Sequence, residues 1–234
     1  MEKLVYLLWE PEGAPIEAVR EALLGDVAPR LLAEGARGLT LELADARSEI
    51  GASVPVRDPE TTPAACVSLW LDSLDHRGRF EEPLRKLARR LAGYLVTESV
   101  PLDYDARGWA DGERSPGISL VTFFEKPERL GWEAFLRIWH EEHTPLSFEI
   151  HPLWRYVRNV VVRTLTPGAP PLAGIVAERF RSVEDLTDPM RFYGASGSKP
   201  ALERNVRRVL DHCRTFLDLE RTRSFAANEY ILRS

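Results

Sequence analysis

The chain has 234 residues, a formal charge of −5 and a hydrophobic fraction of 44%. This composition suits one large domain or two domains of about 100 to 120 residues, and the mixed, mildly acidic charge argues against nucleic acid as a main partner. No apolar run is long enough to span a membrane, the first residues do not read as a secretory leader, and two cysteines are too few for a disulfide framework. We therefore expect a cytoplasmic globular protein in which Cys66 and Cys213 are small buried residues.

The first part of the chain alternates between short apolar runs and longer amphipathic runs, which predicts strands and helices in turn. The predicted strands are 3–10, 37–45, 65–72 and 94–101, and the predicted helices are 15–34 and 79–92. A polar, glycine-rich segment at 103–117 then reads as a connection.

The second part of the chain shows the same kinds of run. Its predicted strands are 118–125, 154–164, 173–181 and 215–232, the last with a break, and its predicted helices are 131–143 and 200–213, with an extra turn at 182–190. Pro145 is expected to end the first of these helices, because proline disfavours helical geometry in the residue before it.

The two parts repeat one pattern. Pro29 matches Pro145 at an offset of 116 residues (145 − 29), and each part reads strand, helix, strand, strand, helix, strand. This βαββαβ order is a ferredoxin-like unit, whose sheet is covered by helices on one face. The predicted fold is therefore α+β, with two tandem ferredoxin-like units, 1–102 and 118–234, joined by the linker 103–117. Closing their bare faces against each other gives an intrachain dimeric α+β barrel with room for a small apolar ligand.

The histidine-rich helix of the second part carries the first candidate site. Residues three or four apart share a face, so Trp132, Leu136, Trp139 and His143 form one stripe, which His140 flanks. Burial should lower the pKa of His143 and a helix C-terminus should raise it, which places the group near neutral pH. An imidazole that titrates there can carry a proton.

The alternative is a core histidine satisfied by a backbone carbonyl. At the offset of 116, Val27 matches His143 and Leu23 matches Trp139, so one copy fills both positions with aliphatic residues. The fold therefore does not need an imidazole there, and any site belongs to the second part. The letters HEEH also suggest a metal, but zinc-protease histidines are four apart, whereas His140 and His143 are three apart. We expect no metal.

Glu178 is the second candidate for proton transfer. Strand alternation places it between Val176 and Phe180 on one face, where a carboxylate is either buried or part of a site. The sequence match in the first part is Ser68, so again only the second part carries an ionisable group. Tyr156 could offer a phenol to the same cavity. The alternatives are an edge-strand glutamate that reaches solvent or an arginine, and a half-buried strand tyrosine.

These residues form three separated motifs that resemble an EthD-type domain. EAFLRIWHEEHTPL supplies the family's Trp-x-x-x-His-x-Pro, RYVRN supplies Arg-Tyr-x-x-Asn, and GIVAERFRSVEDL supplies a strand glutamate before a Ser-x-x-(Asp/Glu) helix start. The matching residues are Trp139, His143, Pro145, Arg155, Tyr156, Asn159 and Glu178. The resemblance covers about residues 118–232, and the first part matches only as a degenerate copy.

The resemblance implies membership of the dimeric α+β barrel superfamily. Relatives in that superfamily include cofactor-free monooxygenases of polyketide pathways, muconolactone-type isomerases, dehydratases or decarboxylases of pigment pathways, and haem-binding enzymes. Fold alone cannot choose among these reactions.

Two hypotheses from different classes follow. In the first, the protein is a cofactor-independent enzyme that acts on a small hydrophobic cyclic or aromatic compound. The reaction is an isomerisation, a dehydration or another lyase step, with metal-free and flavin-free hydroxylation as a variant. Its catalytic residues are His143 and Glu178, and its substrate-binding residues are Trp139, Tyr156, His140 and Asn159. In the second, the barrel is a non-catalytic small-molecule binder or accessory protein, and a haem-binding version uses His143 as axial ligand. Pairing of two copies as a homodimer stays open.

Overall fold

The structure is a computed structural model that describes residues 1–45, 58 and 60–234. Within these residues eight antiparallel strands form a closed barrel. The strands are β1 (Glu2–Trp9), β2 (Gly38–Leu43), β3 (Ala65–Leu71), β4 (Arg90–Leu102), β5 (Ile118–Glu125), β6 (Leu153–Thr164), β7 (Leu172–Phe180) and β8 (Arg223–Arg233). Each corresponds to a predicted strand, although β8 begins later than predicted because the helix before it continues to Phe216. Residues 46–57 and 59 of the predicted first repeat lie outside the described residues.

The strands follow the order β1-β3-β2-β8-β5-β7-β6-β4 around the barrel, and β4 closes on β1. The first four strands lie side by side as β4-β1-β3-β2, and the last four repeat this order as β8-β5-β7-β6. Two seams, β2 with β8 and β4 with β6, join these two quartets. The chain is therefore an α+β barrel in which each half of the sequence supplies half of the wall.

Helices cover the outside of both quartets. They are α1 (Ile16–Ala22), α2 (Ala28–Ala33), α3 (Gly78–Leu87), α4 (Trp132–Arg137), α5 (Thr144–Ile150), α6 (Val183–Thr187), α7 (Pro189–Phe192) and α8 (Lys199–Phe216). Ser182 and Ser198 cap α6 and α8, because each hydroxyl accepts a hydrogen bond from a backbone N–H of the first turn. In the described part of the chain, no helix is both long enough and apolar enough to cross a membrane.

A π-helical turn stands where the sequence predicts a helix stop. α4 continues through the turn Ile138–His143 into α5, so the predicted end of the helix before Pro145 is wrong. In this wider turn the N–H of Thr144 donates to the carbonyl of Trp139, five residues back. Pro145 therefore falls in the first turn of α5, where a helix tolerates a residue without an N–H. Leu23–Val27 forms the same kind of turn between α1 and α2.

Strand alternation divides the side chains between two faces of the barrel wall. In β1, Leu4, Tyr6 and Leu8 point outward into a core beneath α1, α2 and α3. Val5 and Trp9 point inward, where they meet residues of both quartets. The second quartet packs a separate core, rich in aromatic residues, beneath α4, the π turn and α8. A polar strand residue therefore lies either beneath helices or inside the barrel.

The predicted linker 103–117 packs along β8. The Tyr104 hydroxyl donates to Glu229 Oε1 inside the barrel at 2.8 Å. The backbone N–H groups of Gly112 and Ser115 donate to β8 carbonyls at 2.8 Å each. The connection is therefore tied to the barrel, while the domain limits of the two repeats remain a prediction.

Candidate functional site

Tyr156 and Glu178 stand side by side on the outward face of the second quartet. They are direct partners in the pairing of β6 with β7, and alternation aims both toward the helices. Val176 and Phe180, which share this face of β7, are buried, as the alternation predicts. Because β7 lies between β5 and β6, the edge-strand alternative for Glu178 is wrong.

Aromatic rings cover these two residues. We call Phe135, Trp139 and Phe216 the aromatic cover; Trp139 is 1% exposed, and its ring centroid lies 5.8 Å from that of Phe135. A Cβ atom added to Gly174 would come within 2.7 Å of the Trp139 Cη2 atom, so Gly174 makes room for the indole. Trp132, predicted on the same buried stripe, is 47% exposed, because it is the first residue of α4 and extends past the core.

His143 is half-buried against α8. Its ring stacks on His212 at 5.3 Å and lies 4.8 Å from Phe216. Its Nε2 atom is 4.0 Å from Cys213 Sγ, and its Nδ1 atom is buried without a partner among the described residues. Burial, followed by the charges of His212 and His151, lowers the pKa of His143 to about 3. The expected pKa near neutrality is wrong, because the helix continues past this residue and no helix C-terminus offsets the burial.

The carboxyl of Glu178 has the near-neutral pKa that the sequence assigns to the histidine. Burial raises its pKa to about 7, yet the side chain keeps some accessible surface. Burial, and then the Glu178 charge, raises the pKa of Tyr156 to about 12 and that of Cys213 to about 12. At neutral pH the phenol and the thiol therefore keep their protons, whereas Glu178 is ready to exchange one.

The remaining two predicted residues lie apart from each other. His140 lies beside Trp139, with ring centroids 4.9 Å apart, and burial followed by the charge of Arg158 lowers its pKa to about 4. Asn159 points into the barrel, on the opposite face of β6, and its amide donates to the Ile175 carbonyl at 3.2 Å. All predicted site residues except Asn159 thus lie on the helix-covered face, and we call this region the helix-covered site.

A surface groove of about 570 Å³ approaches the helix-covered site. Pro145 of α5 and Arg208 of α8 line its two sides. His212 also lines the groove and stacks on His143, so the groove ends one ring away from the site.

Sequence reasoning missed the contribution of α8. His212 and Cys213 come from this helix, and the sequence predicts Cys213 only as a buried residue. The signal was present, because His212 and Phe216 are four residues apart and therefore share a helix face.

The surroundings of His143 argue against a haem iron at this residue. His212 and Phe216 pack on its ring, and Cys213 occupies the approach to Nε2. The residues present therefore do not fit a haem held by His143. Among the described residues, no three His, Cys, Asp or Glu side chains are grouped as metal ligands would be.

The first half has aliphatic residues at the equivalent positions. At the offset of 116, buried Leu23 corresponds to Trp139 and buried Val27 corresponds to His143. Both pairs lie in or at the end of the two π turns. The residues matched by the offset of 116 therefore also occupy similar places in the backbone of the two halves.

The strand register corrects the sequence match of Glu178. Leu4 and Leu120 are equivalent at the offset of 116; Leu4 pairs with Leu69, and Leu120 pairs with Glu178. The counterpart of Glu178 is therefore Leu69. The match to Ser68 is wrong by one residue, and Ser68 faces the barrel interior.

No protein-family model matches the chain, and no curated protein sequence matches it. Solved structures are similar to it. An anthrone oxidase-like protein has a TM-score of 0.57 at 13% identity, over 100% of this chain and 94% of its own. A candidate monooxygenase from Fusobacterium nucleatum subsp. nucleatum has a TM-score of 0.52 at 10% identity, over 99% and 92%. A double mutant of chlorite dismutase from Candidatus Nitrospira defluvii has a TM-score of 0.52 at 12% identity, over 99% and 92%.

These neighbours are members of the dimeric α+β barrel superfamily. At such low identity the likeness shows a shared fold and nothing about activity. The predicted α+β barrel fold is therefore confirmed, whereas membership of the EthD-type family stays a prediction.

Proposed function

We propose that the chain is a cofactor-independent enzyme that moves a proton on a small hydrophobic, cyclic or aromatic compound in the helix-covered site. The observation that carries this proposal is Glu178, a carboxyl with a pKa of about 7 beneath the aromatic cover, where the first half has Leu69. Burying a carboxyl costs the fold free energy, and a pKa near neutrality suits a group that accepts and returns protons.

The roles of the strand residues follow from their protonation. As a carboxylate, Glu178 takes a proton from a carbon next to a carbonyl or a ring hydroxyl. Tyr156 keeps its own proton and donates a hydrogen bond to the oxygen on which negative charge develops. Return of the proton to another carbon completes an isomerisation. Its transfer to a neighbouring hydroxyl, which leaves as water, completes a dehydration.

We assign His143 a different role from the proton transfer that the sequence suggests. Its neutral ring has a buried Nδ1 atom that lacks a partner among the described residues, so it can bind a polar group of the substrate. The aromatic cover excludes water, and His140 flanks Trp139 at the margin of the site. These contacts would hold the substrate beside Glu178.

A second candidate is oxygenation without a cofactor at the same site. It is supported by structural neighbours that are named as candidate monooxygenases and as an anthrone oxidase-like protein. Removal of a proton by Glu178 leaves a carbanion, whose electrons reduce dioxygen. One oxygen atom enters the product and the other leaves as water; anthrone and dioxygen would give anthraquinone and water.

We further propose that the two quartets are ferredoxin-like units that arose by internal duplication, and that the second is EthD-type. The repeated strand order and the matched π turns support the duplication. The motif residues Trp139, His143, Tyr156 and Glu178 on one face support the family. Asn159, also a motif residue, then serves the barrel interior. A cytoplasmic location, the lack of nucleic-acid and membrane partners, and a homodimer stay predictions.

Deuterium exchange into anthrone and 2-tetralone tests the enzymatic proposal. The purified full chain is incubated with each compound in deuterated buffer under argon, and mass spectrometry follows C–H exchange; the anthrone incubation is repeated in air to measure anthraquinone. We expect Glu178→Gln to lower the enzyme-dependent rates by about 10²–10⁴-fold. Exchange without anthraquinone selects the isomerase or dehydratase class, and both together select the oxygenase.

Glu203→Gln is the matched control, because it is the same substitution at an exposed position of α8. It should leave both rates unchanged. A Glu178→Gln protein that exchanges as fast as the parent would show that Glu178 is not the proton carrier.

A further inference from the structure

The barrel interior carries a layer of charged side chains that the proposed function does not use. Strand alternation aims them inward; they are Lys3, Glu42, Glu98, Arg155, Arg179 and Glu229. The exposed fractions of Lys3, Glu42, Arg179 and Glu229 are 7%, 5%, 1% and 1%. Buried charges destabilise a fold unless they are paired, so the partners of this layer show where it is incomplete.

Most of the layer is paired. Lys3 forms an ion pair with Glu98. Glu229 accepts hydrogen bonds from Arg155 Nη1 at 3.3 Å and from the Tyr104 hydroxyl at 2.8 Å. These contacts compensate the charges on both sides of the interior.

Two acceptors in the interior have no partner among the described residues. They are Oε2 of Glu42, which lies opposite Glu229 across the β2–β8 seam, and Oδ1 of Asn159. Both residues line an inner chamber of about 40 Å³, which has room for a hydroxyl group or a few water molecules. Burial and the Glu229 charge raise the pKa of Glu42 to about 7. A ligand group that donates a hydrogen bond would satisfy either acceptor.

A wider cavity of about 490 Å³, which we call the barrel mouth, adjoins this chamber. Thr40, Trp70 and Arg155 line both spaces, so the two lie side by side. The described side chains of the mouth include one carboxylate, Asp103, against four guanidinium groups. These belong to Arg37, Arg107, Arg155 and Arg233.

The mouth arginines differ in how far their charge is compensated. Arg37 donates to Asp72, and Arg107 pairs with Asp111. Arg233 donates to a backbone carbonyl at 2.8 Å and has no carboxylate partner among the described residues. The Arg233 charge is therefore available to an anion, and guanidinium groups bind carboxylates well.

We propose that the barrel mouth is a second binding site, separate from the helix-covered site, for a small aromatic carboxylic acid that carries a hydroxyl group. The carboxylate binds at Arg233. The ring lies against Trp70 and Tyr104. The hydroxyl enters the inner chamber, where it donates to Glu42 or Asn159.

Isothermal titration of the full chain with three probes tests this proposal. 4-Hydroxybenzoate has both groups, benzoate lacks the hydroxyl, and 4-hydroxybenzyl alcohol lacks the carboxylate. We expect 4-hydroxybenzoate to bind at one site, benzoate about 5–10-fold more weakly, and the alcohol about tenfold more weakly or worse. Arg233→Gln should weaken 4-hydroxybenzoate about tenfold and leave the alcohol unchanged. Glu42→Leu should reduce the advantage of 4-hydroxybenzoate over benzoate, because Asn159 is then the one remaining acceptor that the proposal names.

Arg204→Gln, at an exposed position of α8, is the matched control and should bind like the parent. If Glu42→Leu does not fold, titration of the three probes into the parent and into Arg233→Gln still tests the proposal. Equal affinity for the three probes, or binding of none, overturns the proposal. Loss of 4-hydroxybenzoate binding in Glu178→Gln with full binding in Arg233→Gln also overturns it, because the probe then occupies the helix-covered site.

Discussion

The two halves of the barrel solve the same packing problem beneath their helices with different residues. The matched pairs are Leu23 with Trp139, Val27 with His143, Leu69 with Glu178 and Ala65 with Gly174. In the first half all four positions are small or aliphatic and buried. In the second half one position is enlarged, one loses its side chain, and two carry ionisable groups.

This difference separates what the fold needs from what the fold only tolerates. The first half shows that aliphatic residues suffice beneath a sheet of this strand order. In the second half burial moves the pKa of His143 down and that of Glu178 up. A tenfold change in an acid dissociation constant corresponds to about 1.4 kcal/mol between the two protonation states. Groups that a fold keeps at such a cost are expected at functional sites.

The largest expected effect comes from Glu178→Leu, which gives the second half the residue of the first. A carboxyl whose pKa is raised from 4.5 to about 7 stabilises the folded state less and less as pH rises through that window. Above pH 7 the deficit is about 3 kcal/mol. Glu178→Leu has no buried carboxyl to ionise and therefore does not lose this stability. Its free energy of unfolding in urea should exceed that of the parent by about 3 kcal/mol at pH 8 and by little at pH 4.5.

Leu69→Glu is the reciprocal control, since it places a carboxyl in the matching position of the first half. It should destabilise the protein, and more at pH 8 than at pH 4.5. The same stability difference between Glu178→Leu and the parent at both pH values would contradict a buried, titrating carboxyl.

A smaller effect is expected from His143→Val, again the residue of the first half. The pKa of His143 is lowered from 6.5 to about 3, so its contribution to stability is present above pH 6.5 and is lost as pH falls toward 3. Because the ring is only half-buried, we expect a change of about 2 kcal/mol. As pH falls from 7 to 4, the melting temperature of the parent should fall more than that of His143→Val. The same difference in melting temperature at both pH values would mean that the ring is solvated.

The smallest effect concerns packing. Gly174→Ala should destabilise the protein by about 1 kcal/mol, the low end of the range for added core volume, because the added Cβ meets the side-chain rings of Trp139 and Phe124. Combining it with Trp139→Leu restores the arrangement of the first half, so the double variant should be more stable than the sum of the single changes indicates. A double-mutant cycle in urea measures this coupling, with Ala65→Gly as the first-half control. Strict additivity would show that the two positions do not share space.

The strands were predictable because alternation and the repeat at an offset of 116 are visible in the letters. The π turns were not, because Pro145 reads as a helix stop unless the widened turn before it is known. The match of Glu178 failed for a related reason: antiparallel register cannot be read from one strand, and a slip of one residue exchanges Leu69 for Ser68 and one face for the other.

The grouping of the candidate residues was predictable from the sequence, whereas their protonation was not. Trp139, His143, Tyr156 and Glu178 share one face as expected, yet the near-neutral pKa belongs to Glu178. Which of the two residues has a pKa near neutrality depends on how deeply each is buried, and the sequence does not show this. The interior charges did leave a signal, since Lys3 has the same strand parity as Val5 in β1, but without the closed barrel this face reads as an ordinary apolar one.

The closure of the barrel also limits how other chains can bind. In the described residues each strand is hydrogen-bonded on both sides, because the β2–β8 and β4–β6 seams complete the ring. An open four-stranded sheet leaves N–H and C=O groups unpaired along its outer strands, and such edges invite strand addition and aggregation. Here each half protects the edges of the other. A partner, including a second copy of this chain, therefore meets no open edge along the eight described strands and would have to contact helices and side chains there.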